Sequence, residues 1–361
     1  MKIGIDTREL AGKKAGIGWY IYHVLSNILK LDTKNEYFAY SCETIDFPDF
    51  SNLTKIVIPK KGLSWHLETA KRIEKDDIEL YWSISSPIVP AITKIPTIYT
   101  IHDLTNIFYP QYHKLKGRLI DKLFLAKAVK KTKKIIAISD ATKKDIVKLF
   151  PSTKEKVYVT HLGYDKVFKP ISKSEVQSHL EKYKLSPGYV LYVGTLEPRK
   201  NIETILKAYA RIDFEIQKSH PLVIAGKKGW KYENIFKTYN ELKLKEKVKF
   251  LDYLDFSDLP ALYNGASVFV FPSFYEGFGL PPLESMACGT PVITSNISSL
   301  PEVVGNAGIL VEPLDIDNIA QNIEKILTDL SFRQQLSDSA IKQASKFSWQ
   351  KTAEETLKIL T

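Results

Sequence analysis

Residues 268–292 read VFVFPSFYEGFGLPPLESMACGTPV. The run Val268–Ser273 is β-branched and aromatic, the composition of a strand. Glu276, Gly277, Phe278 and Gly279 follow, and two glycines in four residues let a backbone turn sharply and bring its N–H groups close to a ligand. Pro281 and Pro282 suit the first turn of a helix, and this places Glu284 within that turn. Strand, glycine loop and helix start, in that order, put amide donors and a positive dipole end at the carboxyl edge of a sheet. That geometry suits an anion. Glu276 and Glu284 frame the loop with seven residues between them. Carboxylates are poor partners for phosphate and good acceptors for sugar and ribose hydroxyls. The stretch therefore predicts a ligand that carries both phosphate and hydroxyls.

Working outward, short apolar runs alternate with helical periodicity. In the first half, strands are expected at Lys2–Asp6, Glu36–Ser41, Thr54–Pro59, Leu80–Ser83, Thr97–Ile101, Lys134–Ala137 and Val157–Thr160. Ile17, Ile21, Val24, Leu25, Ile28 and Leu29 recur at helical spacing. Gly16 and Gly18 then stand at a helix start after the first strand, two of the three glycines of a dinucleotide fingerprint. They read either as ligand contacts or as a helix start packed close to a sheet. His102 and Asp103 end the strand Thr97–Ile101, the edge where a doubly wound sheet binds ligands. The second half repeats the pattern, with strands at Tyr189–Gly194, Leu222–Gly226, Val248–Tyr253 and Ile309–Glu312. Asn201 is expected to cap the helix after the loop TLEPRK, so Arg199 and Lys200 lie at a strand end beside a helix N-terminus. Two cations and a dipole make a diphosphate site. The alternation predicts an α/β fold of parallel sheets with helices on both faces.

EGFGLPPLESMACGTPVI resembles the E-x7-E motif of the retaining glycosyltransferases built from two Rossmann-like domains, the GT-B fold, and specifically of their family 4. The resemblance covers nearly the whole chain. It implies that Glu284 holds the donor ribose, and that Glu276, with Gly277, Phe278, Gly279 and Leu280, holds the transferred sugar. It also implies that Arg199 and Lys200 hold the donor diphosphate, that Gly16 and Gly18 face an interdomain cleft, and that His102 contacts the sugar or the incoming hydroxyl. One departure stands out. Many relatives carry a further arginine directly after the strand glycine, where this chain has Thr195; Arg199 and Lys200 then suffice, or Lys227 or Lys228 assists.

The resemblance thus implies a hexosyltransferase acting with retention, and with Arg199 and Lys200 as counter-charges of the diphosphate a metal would be redundant, so none is expected. The donor would be GDP-mannose or a UDP-sugar, with mannose favoured, and the acceptor a glycan or lipid-linked species of polysaccharide biosynthesis. The expected units are residues 1–169, which bind the acceptor, residues 170–345, which bind the nucleotide sugar, and a helix at 346–361 that crosses back to the first. No cofactor is expected beyond the nucleotide-sugar co-substrate. Asp315-Ile316-Asp317 imitates a metal-binding D-x-D pair but precedes an apolar helix face, so it reads as a helix start. A sugar-nucleotide 2-epimerase of the same fold is the alternative within the fold.

Two cysteines in 361 residues make no disulfide framework and fit a reducing, cytoplasmic setting. MKIGIDTREL opens on a strand and loop with no signal-peptide pattern, and no apolar run approaches bilayer length. The formal charge of +10 favours anionic partners. Residues 114–134 hold nine Lys or Arg against Asp121, with Leu115, Leu119, Leu123 and Ala126 along one helix face. This is either a solvated flank or a peripheral contact with the inner face of an anionic membrane. A nucleic-acid-binding module would also use the charge, but it leaves the glutamate pair without a purpose, so no nucleic-acid partner is expected.

Overall fold

The computed structural model describes residues 1–361 apart from Lys13, Ala15, His113, Lys114 and Tyr253, and apart from the side chains of Tyr112, Leu115 and Lys116. The expected strand end at Tyr253, and the Lys114, Leu115 and Lys116 side chains of the basic stretch, therefore lie outside the described residues.

Among the described residues, thirteen strands form two sheets. The first holds β1 (Lys2–Asp6), β2 (Glu36–Ser41), β3 (Leu53–Val57), β4 (Leu80–Ser83), β5 (Thr97–Ile101), β6 (Lys134–Ala137) and β7 (Val157–Val159). The second holds β8 (Tyr189–Val193), β9 (Leu222–Ala225), β10 (Val248–Leu251), β11 (Ala266–Phe271), β12 (Val292–Ser295) and β13 (Ile309–Val311). Every pairing is parallel. The orders are β3-β2-β1-β4-β5-β6-β7 and β10-β9-β8-β11-β12-β13. Helices connect consecutive strands of each sheet except β2 and β3, which residues 42–52 join without one, so central strands are buried on both faces and read as continuous apolar runs. Val190–Tyr192 and Val268–Phe271 are all fully buried. In both sheets the winding reverses once, between β1 and β4 and between β8 and β11, and ligands of open parallel sheets bind outside the carboxyl ends at such reversals. The sequence reading does not include the strand Val292–Ser295, which follows the helix Leu280–Ala287 after residues 288–291.

The chain divides into two compact units, Met1–Gly163 with Ser348–Thr361, and Tyr164–Phe347. The change-over falls at Gly163–Tyr164 rather than near Pro170, because Phe168 already belongs to the second core. Its ring packs edge-on against Phe256 and Tyr263. The last helix, Trp349–Leu360, packs on Gly16–Leu31 within the first unit.

Among the described residues of the helix Leu115–Lys131, Leu125, Ala128 and Val129 are buried. The expected apolar face is not the packing face. Leu119 and Leu123 are 56% and 61% exposed, and Ala126 is exposed as well. Among the described residues no helix is long and apolar enough to cross a membrane.

Candidate active site

At the reversal of the second sheet, the loops after β8 and β11 are stitched together. The Phe274 N–H donates to the Arg199 carbonyl at 2.9 Å, and Arg199 Nη1 donates to the Tyr275 carbonyl at 2.6 Å. Glu276 is the hub. Its Oε1 accepts from Lys200 Nζ at 2.6 Å and from Ser273 Oγ at 2.7 Å, and its Oε2 accepts from Arg199 Nη1 at 3.0 Å. Arg199 also donates to Glu197 at 2.7 Å. Burial alone would raise the Glu276 carboxyl, but Arg199 and then Lys200 outweigh it and hold the group at about 2. Burial, and next the Arg199 charge, lower Lys200. The two cations that the sequence assigns to a diphosphate are thus already engaged by carboxylates. Lys228 is not among them; its ammonium lies over the Tyr232 and Phe236 rings.

Asn201 does not cap its helix in the expected way. It sits in the left-handed region at φ 58° with no side-chain cap bond. Its amide instead donates to the carbonyls of Pro272, at 3.0 Å, and Pro313, at 2.6 Å, which ties the β8 loop to the end of β11.

The glycine loop is fixed from behind. Ser298 Oγ donates to the Glu276 carbonyl, and Ser299 Oγ lies within hydrogen-bond distance of both the Glu276 and the Phe278 carbonyls, which share its single hydrogen. Phe278 is buried with its ring edge-on to Phe347, so it offers backbone to the loop surface. Gly279 has φ 121° and opens the helix Leu280–Ala287, a conformation that a side chain rarely adopts. Pro281 and Pro282 stand in the first turn as expected. Glu284 does not: it is the fifth residue of the helix, past the reach of the terminal dipole. Its carboxyl accepts from the buried Tyr263 hydroxyl at 2.9 Å. Burial pushes it up to about 7, the Tyr263 hydrogen bond opposing and Asp165 reinforcing. Asp315 caps the helix Ile316–Thr328 through the Asn318 N–H at 3.0 Å, and Asp317 pairs with Arg211. Both acids of the D-x-D imitation are therefore engaged in the fold.

In the first unit, Gly16 opens the helix Gly16–Leu31 with open space beside it among the described residues, whereas a Cβ on Gly18 would meet the Glu9 carbonyl oxygen at 2.5 Å. Close packing thus accounts for Gly18. His102 follows β5 with its ring edge-on to Tyr20 at 5.0 Å. Its Nε2 is buried and has no hydrogen-bond partner among the described residues. Burial pushes the imidazole down to about 4, against Asp103 and a hydrogen bond to the Ile84 main chain, so the ring is neutral at pH 7.

Sequence reading missed Ser273, Tyr263, Ser298 and Ser299, because a serine or tyrosine carries no signal until folding sets it against the loop. It also missed Asp6 and Arg8. Asp6, at the end of β1, is 1% exposed. It accepts from Arg8 Nε at 2.9 Å, from Arg8 Nη2 at 2.7 Å and from Ser85 Oγ at 3.1 Å. A cation two residues beyond a strand-end acid was the available signal.

Residues 176–343 match the model of the family described as Glycosyl transferases group 1, and residues 45–167 match that of Glycosyltransferase Family 4. O-antigen chain mannosyltransferase B of Escherichia coli is 38% identical over 262 residues, 72% of this chain and 68% of that protein. The serotype-specific mannosyltransferase WbdA of Escherichia coli is 38% identical over 223 residues; these are 61% of this chain but only 27% of WbdA. The solved structure of Anabaena HepE in complex with UDP and glucose superposes with a TM-score of 0.80 at 18% identity, over 99% of this chain and 98% of that one. Two parallel Rossmann-like halves with these relatives define a GT-B glycosyltransferase. The chain belongs to the glycosyl transferases group 1 family.

Proposed function

We propose that this chain transfers mannose from GDP-mannose, with retention at the anomeric carbon and without a metal, to a hydroxyl of a glycan or lipid-linked acceptor in polysaccharide biosynthesis. The observation that carries the reading is the Glu276 carboxylate held between Arg199 and Lys200 at the reversal of the second sheet. Departure of the nucleoside diphosphate builds negative charge on its oxygens, and pre-placed cations stabilise such charge without reorganising. In this reading the diphosphate shares Arg199 and Lys200 with Glu276. The remaining lone pairs of Glu276 orient the sugar hydroxyls, backbone at Gly277–Leu280 lies along the sugar, and Glu284 takes the ribose. Gly16 approaches the donor by its backbone. His102 Nε2 meets the sugar or the incoming hydroxyl in the unit that takes the acceptor.

Retention is supported by what these groups can accept. At about 2 and about 4, Glu276 and His102 are weak bases at neutral pH. The departing phosphate oxygen then takes the proton of the incoming hydroxyl, and that hydroxyl enters on the face the phosphate leaves. Mannose as the sugar is supported by the two mannosyltransferases at 38% identity. The exposed Leu119 and Leu123 beside Arg118, Lys122 and Lys127 support a peripheral seat on an anionic membrane at its cytoplasmic face.

A calorimetric panel of GDP-mannose, UDP-glucose, UDP-galactose and UDP-N-acetylglucosamine tests the donor, with the first expected to bind most tightly. Proton NMR of the product should show the α configuration of the donor kept. A β product, or a changed sugar nucleotide formed with no acceptor present, would overturn the reading.

A further inference from the structure

The first sheet carries a cluster that the transfer reading leaves unused, and it stands at the same topological place as the Glu276 cluster. In the second sheet the cations follow β8 and their carboxylate follows β11, on the two sides of the reversal. In the first sheet the reversal lies between β1 and β4. Asp6 ends β1, Arg8 stands two residues further on, and Ser85 follows β4. Arg8 Nη2 donates to Ser85 Oγ at 3.0 Å, so the guanidinium spans the reversal as Arg199 does in the other sheet.

We propose that Arg8, locked by Asp6 and Ser85 at the reversal of the first sheet, binds the acceptor by donating to hydroxyls of a neutral sugar. This rests on the reading that the chain transfers a sugar and that its first unit takes the acceptor. The donor inventory supports it. Arginine has five N–H donors in a fixed fork. Nε and one Nη2 hydrogen go to Asp6, the other Nη2 hydrogen goes to Ser85, and one Nη1 hydrogen goes to His66 Nε2 at 3.3 Å. The last Nη1 hydrogen has no partner among the described residues, and the side chain is 18% exposed. Trp65, fully buried, stacks on the guanidinium at 4.2 Å and fixes its plane. Orientation is therefore settled before any ligand arrives, as a specificity-determining donor requires.

Asp6 neutralises Arg8 at 2.7 Å, and His66 stays neutral because burial and then Arg8 push it down to about 4. Held by Asp6, the Arg8 guanidinium is a strong, directed donor to a hydroxyl oxygen. Ser85 Oγ, part-buried beside it, offers a further lone pair to a hydroxyl hydrogen.

The test compares the wild-type chain with Arg8→Lys, which keeps the charge opposite Asp6 and loses the fork. The probes are the p-nitrophenyl glycosides of mannose, glucose, galactose and N-acetylglucosamine as acceptors, with the donor that calorimetry selects. In Arg8→Lys the acceptor KM should rise roughly ten- to a hundredfold, the loss of one hydrogen bond from a charged donor, with the donor KM changed less than threefold. An unchanged acceptor KM, or parallel changes in both constants with a lowered melting temperature, would show Arg8 to be a fold element only and overturn the proposal. Donor binding without transfer to any of the four glycosides would overturn the neutral-sugar acceptor. A wild-type chain that binds none of the panel donors sinks the transfer reading itself, a result visible before any Arg8 variant is made.

Discussion

If Glu284 takes the donor ribose as proposed, donor binding depends on pH, and the size of the effect follows from the surroundings of its carboxyl. Its carboxyl stands at about 7 against an ordinary 4.5. The folded chain therefore holds a proton that the unfolded chain has lost between pH 4.5 and 7. Stability from this group falls as pH rises through that window and levels above it. At 1.36 kcal/mol per pH unit the loss reaches about 3 kcal/mol. His66 and His102 act in the opposite sense. Each is held down to about 4 by burial, so their contribution is present above the unfolded imidazole value of 6.5 and lost as pH falls towards 4. A melting curve of the wild-type chain mixes the two trends. The difference between wild type and Glu284→Gln isolates the carboxyl. Glutamine keeps an oxygen for the Tyr263 hydroxyl, so the two chains should match near pH 5. By pH 8 the variant should be the more stable by about 3 kcal/mol in urea unfolding.

Donor affinity gives the second half of the experiment. In the proposed reading ribose hydroxyls donate to the ionised carboxylate, so binding should weaken about tenfold for each pH unit below 7. In Glu284→Gln it should be flat with pH and, at pH 8, roughly ten- to a hundredfold weaker than wild type. Calorimetry between pH 5.5 and 8 reads both. A stability difference that stays constant with pH refutes the raised carboxyl. A donor affinity with the same pH profile in both chains refutes the ribose role.

Three further outcomes are expected. Glu276→Gln leaves Arg199 and Lys200 balanced only by Glu197, a broken buried pair that costs roughly 3–5 kcal/mol; GDP should restore much of the melting temperature by supplying anions, and transfer should fall far more than GDP affinity, equal losses counting against the sugar contact. Gly18→Ala should destabilise the chain by roughly 1–3 kcal/mol, because its Cβ would meet backbone at Glu9, while Gly16→Ala, with open space around it, should melt as wild type does; the reverse order in thermal unfolding would refute the packing account. Asp315→Ala with Asp317→Ala should lose about 1 kcal/mol of stability with the helix cap, and transfer should persist both in this variant and in excess chelator; turnover that disappears with chelator and returns with magnesium or manganese would refute the metal-free reading.

The sequence alone carried the α/β alternation, because parallel strands buried on both faces must be apolar throughout and their crossover helices must show helical periodicity. It also carried the local chemistry of single loops: Glu276 in its glycine turn, Arg199 with Lys200 after a strand, and Asp315 at a helix start are all readable from neighbours in the chain. What it could not show is pairing across distance. That Glu276 takes both cations 76 and 77 residues away, that Tyr263 holds Glu284, and that Ser298 and Ser299 fasten the loop depend on which strands lie side by side. Strand order is set by packing of whole layers rather than by any local pattern. Burial too is a tertiary quantity. Two glutamates eight residues apart, alike in sequence, part to about 2 and about 7 because one folds against Arg199 and Lys200 and the other against a tyrosine in a low-dielectric wall.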